Sequence, residues 1–197
     1  MRKVVLLSLV SAVLILAGCA GSIRYMQPVA DPNVSYAPGE NQATVVVMRA
    51  SGMAYKIQSS VFDVVGDENK LVGILPAKKK VAYVTTPGEH LFMVIGETAD
   101  FMKADLVAGK TYYAVVVPRM GAWKARFSLM AEHKEDIDTP KVQGWISSCG
   151  WVENTPASHE WATKNMPSVK AKQASAYKVW SAKADEDKPF LRPEDGK

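Results

Sequence analysis

The chain has 197 residues, of which 48% are hydrophobic and 22% charged, with a formal net charge of +4. That composition excludes wholesale disorder, and the length suits one domain with a sizeable core, not comfortably two. Positive and negative residues are interspersed along the chain, so no nucleic-acid partner is expected.

The first nineteen residues say where the protein works. Met1-Arg2-Lys3 is a short positive start, and residues 4–16 are apolar except for Ser8 and Ser11. As a helix that run reaches roughly 20 Å, short of the roughly 30 Å hydrocarbon core. A short apolar run behind positive charges and ahead of small residues reads as an export signal, not a permanent span. Its end, Leu16-Ala17-Gly18-Cys19, resembles the lipobox of bacterial lipoproteins. The resemblance implies a diacylglyceryl group on the Cys19 sulfur, cleavage between Gly18 and Cys19, and acylation of the new amino terminus. Two acyl chains hold a protein on a bilayer where one does not. Ala20 stands where an inner-membrane retention signal would have Asp, which by the same resemblance implies the outer membrane, facing the periplasm. The alternative is an ordinary secreted protein whose cysteine falls there by chance.

Removal of residues 1–18 from the 197 leaves 179, and the net charge falls to +2 with the loss of Arg2 and Lys3. A lipidated Cys19 also leaves Cys149 as the one free thiol in an oxidising compartment, without a disulfide partner in the chain. Between Trp145, Ile146 and Trp151 it reads as a small buried hydrophobe. An intermolecular disulfide or a reactive thiol is the other possibility.

Residues 19–42, punctuated by Pro28, Pro32, Pro38 and Gly39, read as a flexible tether able to hold a domain several tens of ångströms off the membrane. From residue 43 onward, short β-branched and aromatic runs alternate with turn residues. Strands are expected at 44–49, 60–66, 70–75, 79–86, 90–97, 100–107 and 111–117. In residues 123–130, Trp123, Ala125, Phe127 and Leu129 alternate with polar or exposed positions, the pattern of a strand with one wet face. Asp67-Glu68-Asn69 reads as a hairpin turn. Pro87-Gly88 suits a type II turn, with glycine where φ must be positive. About eight strands at this spacing predict an antiparallel β-sandwich over 43–152.

Residues 131–142 read as a short helix or loop, and 142–152 are ambiguous. Thr155-Pro156 starts a helix, with threonine as N-cap and proline in the first turn. A second start is read at Pro167, and Val169, Gln173, Tyr177, Trp180 and Ala184 then follow helical spacing. The helical extension is set at 153–185, and 186–197 reads as a mobile tail because it is charged and proline-bearing.

Val61, Asp63, Gly66, Val72, Gly73 and Leu75, followed by Pro87-Gly88-Glu89-His90 and by Gly109-Lys110-Thr111-Tyr112-Tyr113, resemble a group of small bacterial lipoproteins of unassigned function, related in pattern to PEGA-type β-domains. The resemblance covers about 75 of the 179 mature residues. It implies a small β-sandwich in the cell envelope and carries over no catalytic residue.

His90 is the leading candidate for chemistry, because a histidine just after a tight turn can act as ligand or base; it can equally bond a backbone carbonyl and fix the turn. His133 with Asp136 and Asp138 could form a surface metal site, or simply be solvated. A Cys149–histidine pair would make a thiol hydrolase only if the fold brought the two together. The sequence has no G-x-S-x-G, Walker loop, H-E-x-x-H or C-x-x-C. Tyr112, Tyr113, Trp123, Trp145, Trp151, Trp161, Tyr177 and Trp180 read as core in preference to a binding cleft. The expectation is a non-enzymatic envelope lipoprotein with no metal or cofactor, held to the membrane by lipid, that binds another envelope protein or supports an assembly as a structural module. The alternatives are a small-ligand or metal module at the 87–90 turn, and a hydrolase at Cys149.

Overall fold

A computed structural model describes residues 24–31, 33–121 and 125–197. Gly18, Cys19 and Trp123 lie outside the described residues. The first strand, β1, is Met26–Pro28, followed by β2 (Ala43–Arg49), β3 (Ser59–Val65), β4 (Glu68–Leu75) and β5 (Lys79–Thr85). Then come β6 (Gly88–Ile95), β7 (Ala99–Leu106), β8 (Thr111–Arg119) and β9 (Arg126–Glu132). Helices α1 (Lys134–Ile137) and α2 (Pro140–Ser148), strand β10 (Gly150–Asn154), helix α3 (Pro156–Ser181) and strand β11 (Phe190–Leu191) complete the order.

These strands form a six-stranded sheet, β1-β10-β5-β2-β8-β9, and a five-stranded sheet, β11-β7-β6-β3-β4. Both are mixed, which corrects the expected antiparallel sandwich of about eight strands. β2 runs parallel to β8, β10 to β5 and β11 to β7. The eight expected strands are β2 to β9. The other three have 3, 5 and 2 residues, too short for any period to show. Each is held by burial of one side chain: Met26, Val152 or Leu191.

The core between the sheets is built from Val45, Val47, Val61, Phe92, Val94, Tyr112 and Phe127, among others. Both outer faces are also covered. On the six-stranded sheet, Val46, Met48 and Val115 meet Trp145, Ile146 and Trp151. That double cover is why the middle of β2, residues 45–48, is apolar on both faces. On the five-stranded sheet, Phe62, Met93 and Phe101 meet Ala162, Val169 and Trp180 of α3.

α3 starts where its sequence says. Thr155 accepts from the Ser158 backbone, Ser158 Oγ accepts in return from Thr155 N, and Pro156 sits in the first turn. It does not restart at Pro167; one helix runs through that residue to Ser181. An interior proline costs about 3 kcal/mol. Burial of Val169 and Trp180 on the sheet returns roughly 1.5–3 kcal/mol each, enough to hold the axis together.

The two flanks differ from expectation. Within the expected tether, β1 pairs with β10, and Thr44 Oγ1 donates to Tyr36 O at 2.8 Å. The expected mobile tail is fastened. Leu191 is buried beside β7, and the last residue exchanges backbone bonds with Thr111 at 2.7 and 3.0 Å. Its charges read as solvating, but Asp195 is wholly buried and accepts from His133 Nδ1 at 2.9 Å, Lys134 N at 3.2 Å and Arg192 N at 2.8 Å. Gly196 is required there, since a Cβ would lie 2.6 Å from Tyr112 Cζ.

Candidate functional site

Among the described residues, Asp63, Tyr83 and His90 form a polar cluster between the sheets that includes a sequence-predicted site residue. Its placement follows from strand register. Asp63 on β3 stands opposite Phe92 on β6, and His90 lies two residues before Phe92 on the same inward face. Tyr83 reaches across from β5 in the other sheet. Gly88 has φ +112°, so the turn after Pro87 is one that only glycine enters without strain, and it delivers His90 to the start of β6.

The geometry engages every ring atom able to bond. His90 Nδ1 lies 2.9 Å from Asp63 Oδ2, and Nε2 lies 2.9 Å from Thr86 O. Tyr83 Oη donates to the same Asp63 oxygen at 3.1 Å. The imidazole stacks on Phe92 at 5.9 Å, and Tyr83 meets Phe92 edge-on at 6.1 Å. The Asp63 side chain is 0% and that of His90 6% exposed.

Both histidine nitrogens face acceptors, so the full set of bonds exists only when both carry protons. The bond to Asp63 holds the His90 pKa above its ordinary value, against the opposing effect of burial. Burial, with the Asp63 charge, pushes Tyr83 up to about 12. Asp63 Oδ1 is buried with no hydrogen-bond partner among the described residues. In this arrangement His90 has no lone pair free to ligate a metal or to take a proton. Its chemistry is to neutralise Asp63 and, through Tyr83, to tie the two sheets together.

The other candidates lie apart. His133 bonds Asp195, while Asp138 pairs with Lys197 Nζ. No group of three His, Cys, Asp or Glu able to hold a metal occurs among the described residues. Cys149 is 2% exposed at the end of α2, and its N–H donates to Trp145 O at 3.0 Å. Burial pushes its thiol pKa up, opposed by Lys80, Lys78 and Lys79. His159 is on the exposed side of α3. No histidine bonds the Cys149 sulfur among the described residues. Of the aromatics, Tyr112 and Trp180 are buried, Tyr113, Trp145 and Trp151 pack under the α2 side, and Tyr177 is 44% exposed.

Arg49 belongs to no motif of the sequence. It is wholly buried, and its partners among the described residues are backbone carbonyls. Its Nη2 donates to Met53 O at 3.0 Å and Ala54 O at 2.8 Å, and its Nη1 to Leu75 O at 3.2 Å and also to Ile57 O. The guanidinium lies 4.8 Å from the centre of the Phe127 ring. Burial alone pushes its pKa down to about 10, which still leaves it charged at neutral pH. The one sequence sign is an arginine closing an otherwise apolar run.

Clefts flank α3. One of about 610 Å³ lies between Glu97, Asp100, Arg126, Val179 and Trp180; another of about 590 Å³ is bordered by His90, Lys103, Tyr177, Lys188 and Phe190. No helix among the described residues is long and apolar enough to cross a membrane. Comparison with protein-family models and with curated proteins finds no match.

Proposed function

We propose that the protein is a lipid-anchored lipoprotein of the cell envelope, on the outer membrane and facing the periplasm, whose β-sandwich is a non-catalytic binding or structural module. The observation that carries the anchored reading is Leu16-Ala17-Gly18-Cys19, set behind a short positive start and an apolar run. The motif likeness to small bacterial lipoproteins related in pattern to PEGA-type β-domains points the same way. The non-catalytic reading is supported by where the reactive side chains are spent. His90 is committed to Asp63 and Thr86, His133 to Asp195, and Cys149 is buried. That arrangement disfavours the small-ligand module at the 87–90 turn and the hydrolase at Cys149.

The test is metabolic labelling with a fatty acid, followed by membrane fractionation of wild type and Cys19→Ala. The expected result is label on wild type alone and release of the variant from the membrane. Unlabelled wild type sinks the anchored reading. Crosslinking in intact cells then identifies the envelope protein captured. Turnover of an envelope substrate by purified protein, abolished by Cys149→Ala, overturns the non-catalytic reading.

A further inference from the structure

We infer that the outward, lysine-bearing face of α3 rests on an anionic phospholipid surface, that of the leaflet holding the acylated Cys19; this builds on the anchored reading above. The first observation is the length of the strap. As a tether, residues 19–42 would let the domain stand well clear of the bilayer. In the structure the chain is already fastened at Tyr25 and Met26. Met26 is buried and paired with Asn154, and the Tyr25 carbonyl accepts from Thr155 Oγ1 at 2.8 Å. The Tyr25 ring lies 6.0 Å from that of Trp161. From Cys19 to Arg24 is five residues, which covalent geometry limits to about 18 Å at full extension.

Tyr25 is bound to Thr155, the N-cap of α3, so the strap starts at the head of that helix. α3 has 26 residues, a length of about 39 Å. A strap of that length keeps Arg24 and the head of α3 within about 18 Å of the leaflet.

The second observation is charge. α3 carries Lys164, Lys170, Lys172 and Lys178 against one acid, Glu160. Lys172 Nζ is committed to Gly96 O at 2.6 Å, whereas Lys164, Lys170 and Lys178 are exposed. Ala162, Val169 and Trp180 take the sheet side, which turns Lys164 and Lys178 away from it. Arg24, at the strap, is exposed and lies 5.2 Å from the centre of the Tyr25 ring. Tyr25 and Trp161 are half-buried, and amphipathic rings beside cations suit the headgroup layer. The acids nearby are Glu160, Glu153 bonded to Gln27, Asp67 and Glu68, which with Lys70 border a small cleft beside Lys170, and, past the end of α3, Asp185 bonded to Lys103 and Lys188.

Lysines are drawn to an anionic leaflet within a Debye length of it. A strap this short keeps them in that zone, so a weak attraction is enough. No insertion is involved, because the outward face otherwise carries small residues such as Ala171 and Ala174.

The test uses the full acylated protein in vesicles of phosphatidylethanolamine with phosphatidylglycerol, and in vesicles of phosphatidylcholine alone. A membrane-impermeant amine reagent is applied and each lysine is quantified by mass spectrometry. Lys141 on α2, across the sandwich from α3, serves as the internal reference. The expected result is that Lys164, Lys170 and Lys178 react at least about threefold more slowly on the anionic vesicles, with the gap closing at high salt. Lys141 should react equally on both.

Trp161 fluorescence, read against Trp161→Phe, should be quenched by a lipid-borne quencher. It should lose that quenching when Lys164, Lys170 and Lys178 are all changed to Gln. The Cys19 peptide in the same digest reports acylation separately. Acylated Cys19 with equal lysine reactivity on both vesicles overturns the docking and leaves the anchor intact. A Cys19 peptide without acyl chains overturns the anchored reading, and the docking with it.

Discussion

His90 Nδ1 stands 2.9 Å from Asp63 Oδ2 in the space between the two sheets, and the imidazole's other nitrogen faces the Thr86 carbonyl. A buried pair of this kind adds little net stability but is expensive to break from one side. His90→Ala leaves the Asp63 carboxylate, among the described residues, with the Tyr83 hydroxyl as its side-chain partner. The expected loss is about 3 kcal/mol, read as a lower urea midpoint at unchanged slope. A variant as stable as wild type would show that the cluster does not tie the sheets.

The same pair sets a pH dependence. The bond to Asp63 raises the folded pKa of His90 above its ordinary 6.5. As pH rises, the unfolded chain therefore loses its proton first. The contribution is full below about pH 6.5 and is lost as pH climbs through the elevated folded pKa. Unfolding free energies of wild type minus His90→Gln, measured across that window, should decline with pH. A flat difference contradicts the cationic assignment.

Tyr83 extends the effect to alkaline solution. Its phenol ionises near 10 when unfolded and at about 12 in the fold. The folded state thus holds a proton that the unfolded state has released, and stability falls between those values. Tyr83→Phe removes this slope and, by deleting one donor to Asp63, costs about 1–2 kcal/mol near neutrality. Phenolate absorbance against pH, native and in urea, separates the two titrations.

Arg49 makes a prediction of a different kind. It holds the segment between β2 and β3 by the carbonyls of Met53, Ala54 and Ile57, and reaches Leu75 as well. Arg49→Lys keeps the charge but has no planar fork to serve several carbonyls at once. Both Arg49→Lys and Arg49→Met should lower stability by about 2–4 kcal/mol, since each leaves buried carbonyls unbonded. Hydrogen exchange should quicken first at Ile57, whose N–H donates to Ala54 O at 2.9 Å. If Arg49→Met is as stable as wild type, the guanidinium is not what shapes this loop.

The eight longer strands were legible because their signal is local. β9 sets Phe127 and Leu129 on one face, although Ser128 and Glu132 of the face expected to be wet are buried as well, β2 is mostly apolar on both faces, and the turn at Gly88 needs a residue tolerant of positive φ. β1, β10 and β11 were not, because two to five residues carry no period and their pairing is chosen by the sheet edges they meet. Pro167 misled for a related reason: the local rule was right, but Val169 and Trp180 packed on the sheet outweigh it. Asp63 and His90 each stood in a recognisable motif, yet the bond joining them spans 27 positions. Arg49 left almost no trace, since its partners are backbone carbonyls and any residue could supply them.

Residues 190–197 supply the last prediction, because the Asp195 charge there is buried and bonded, not solvated. Phe190 and Leu191 lie alongside Lys103 and Ala104 of β7. Pro193 O accepts from Tyr112 Oη at 3.2 Å and from Lys110 Nζ at 3.0 Å. Removing residues 190–197 uncovers Tyr112 and the β7 edge, and leaves His133 without Asp195. Burial of Leu191 alone is worth roughly 1.5–3 kcal/mol, so the truncated chain should lose at least about 3 kcal/mol in all. A bare β7 edge also invites pairing between molecules. The truncated protein should therefore melt lower and aggregate at concentrations where the whole chain stays dispersed. Asp195→Asn, which keeps the side chain's shape, should lose part of that stability without the aggregation, because β11 stays on its edge. A truncated chain that melts with the intact one would return residues 190–197 to the mobile tail their composition suggests.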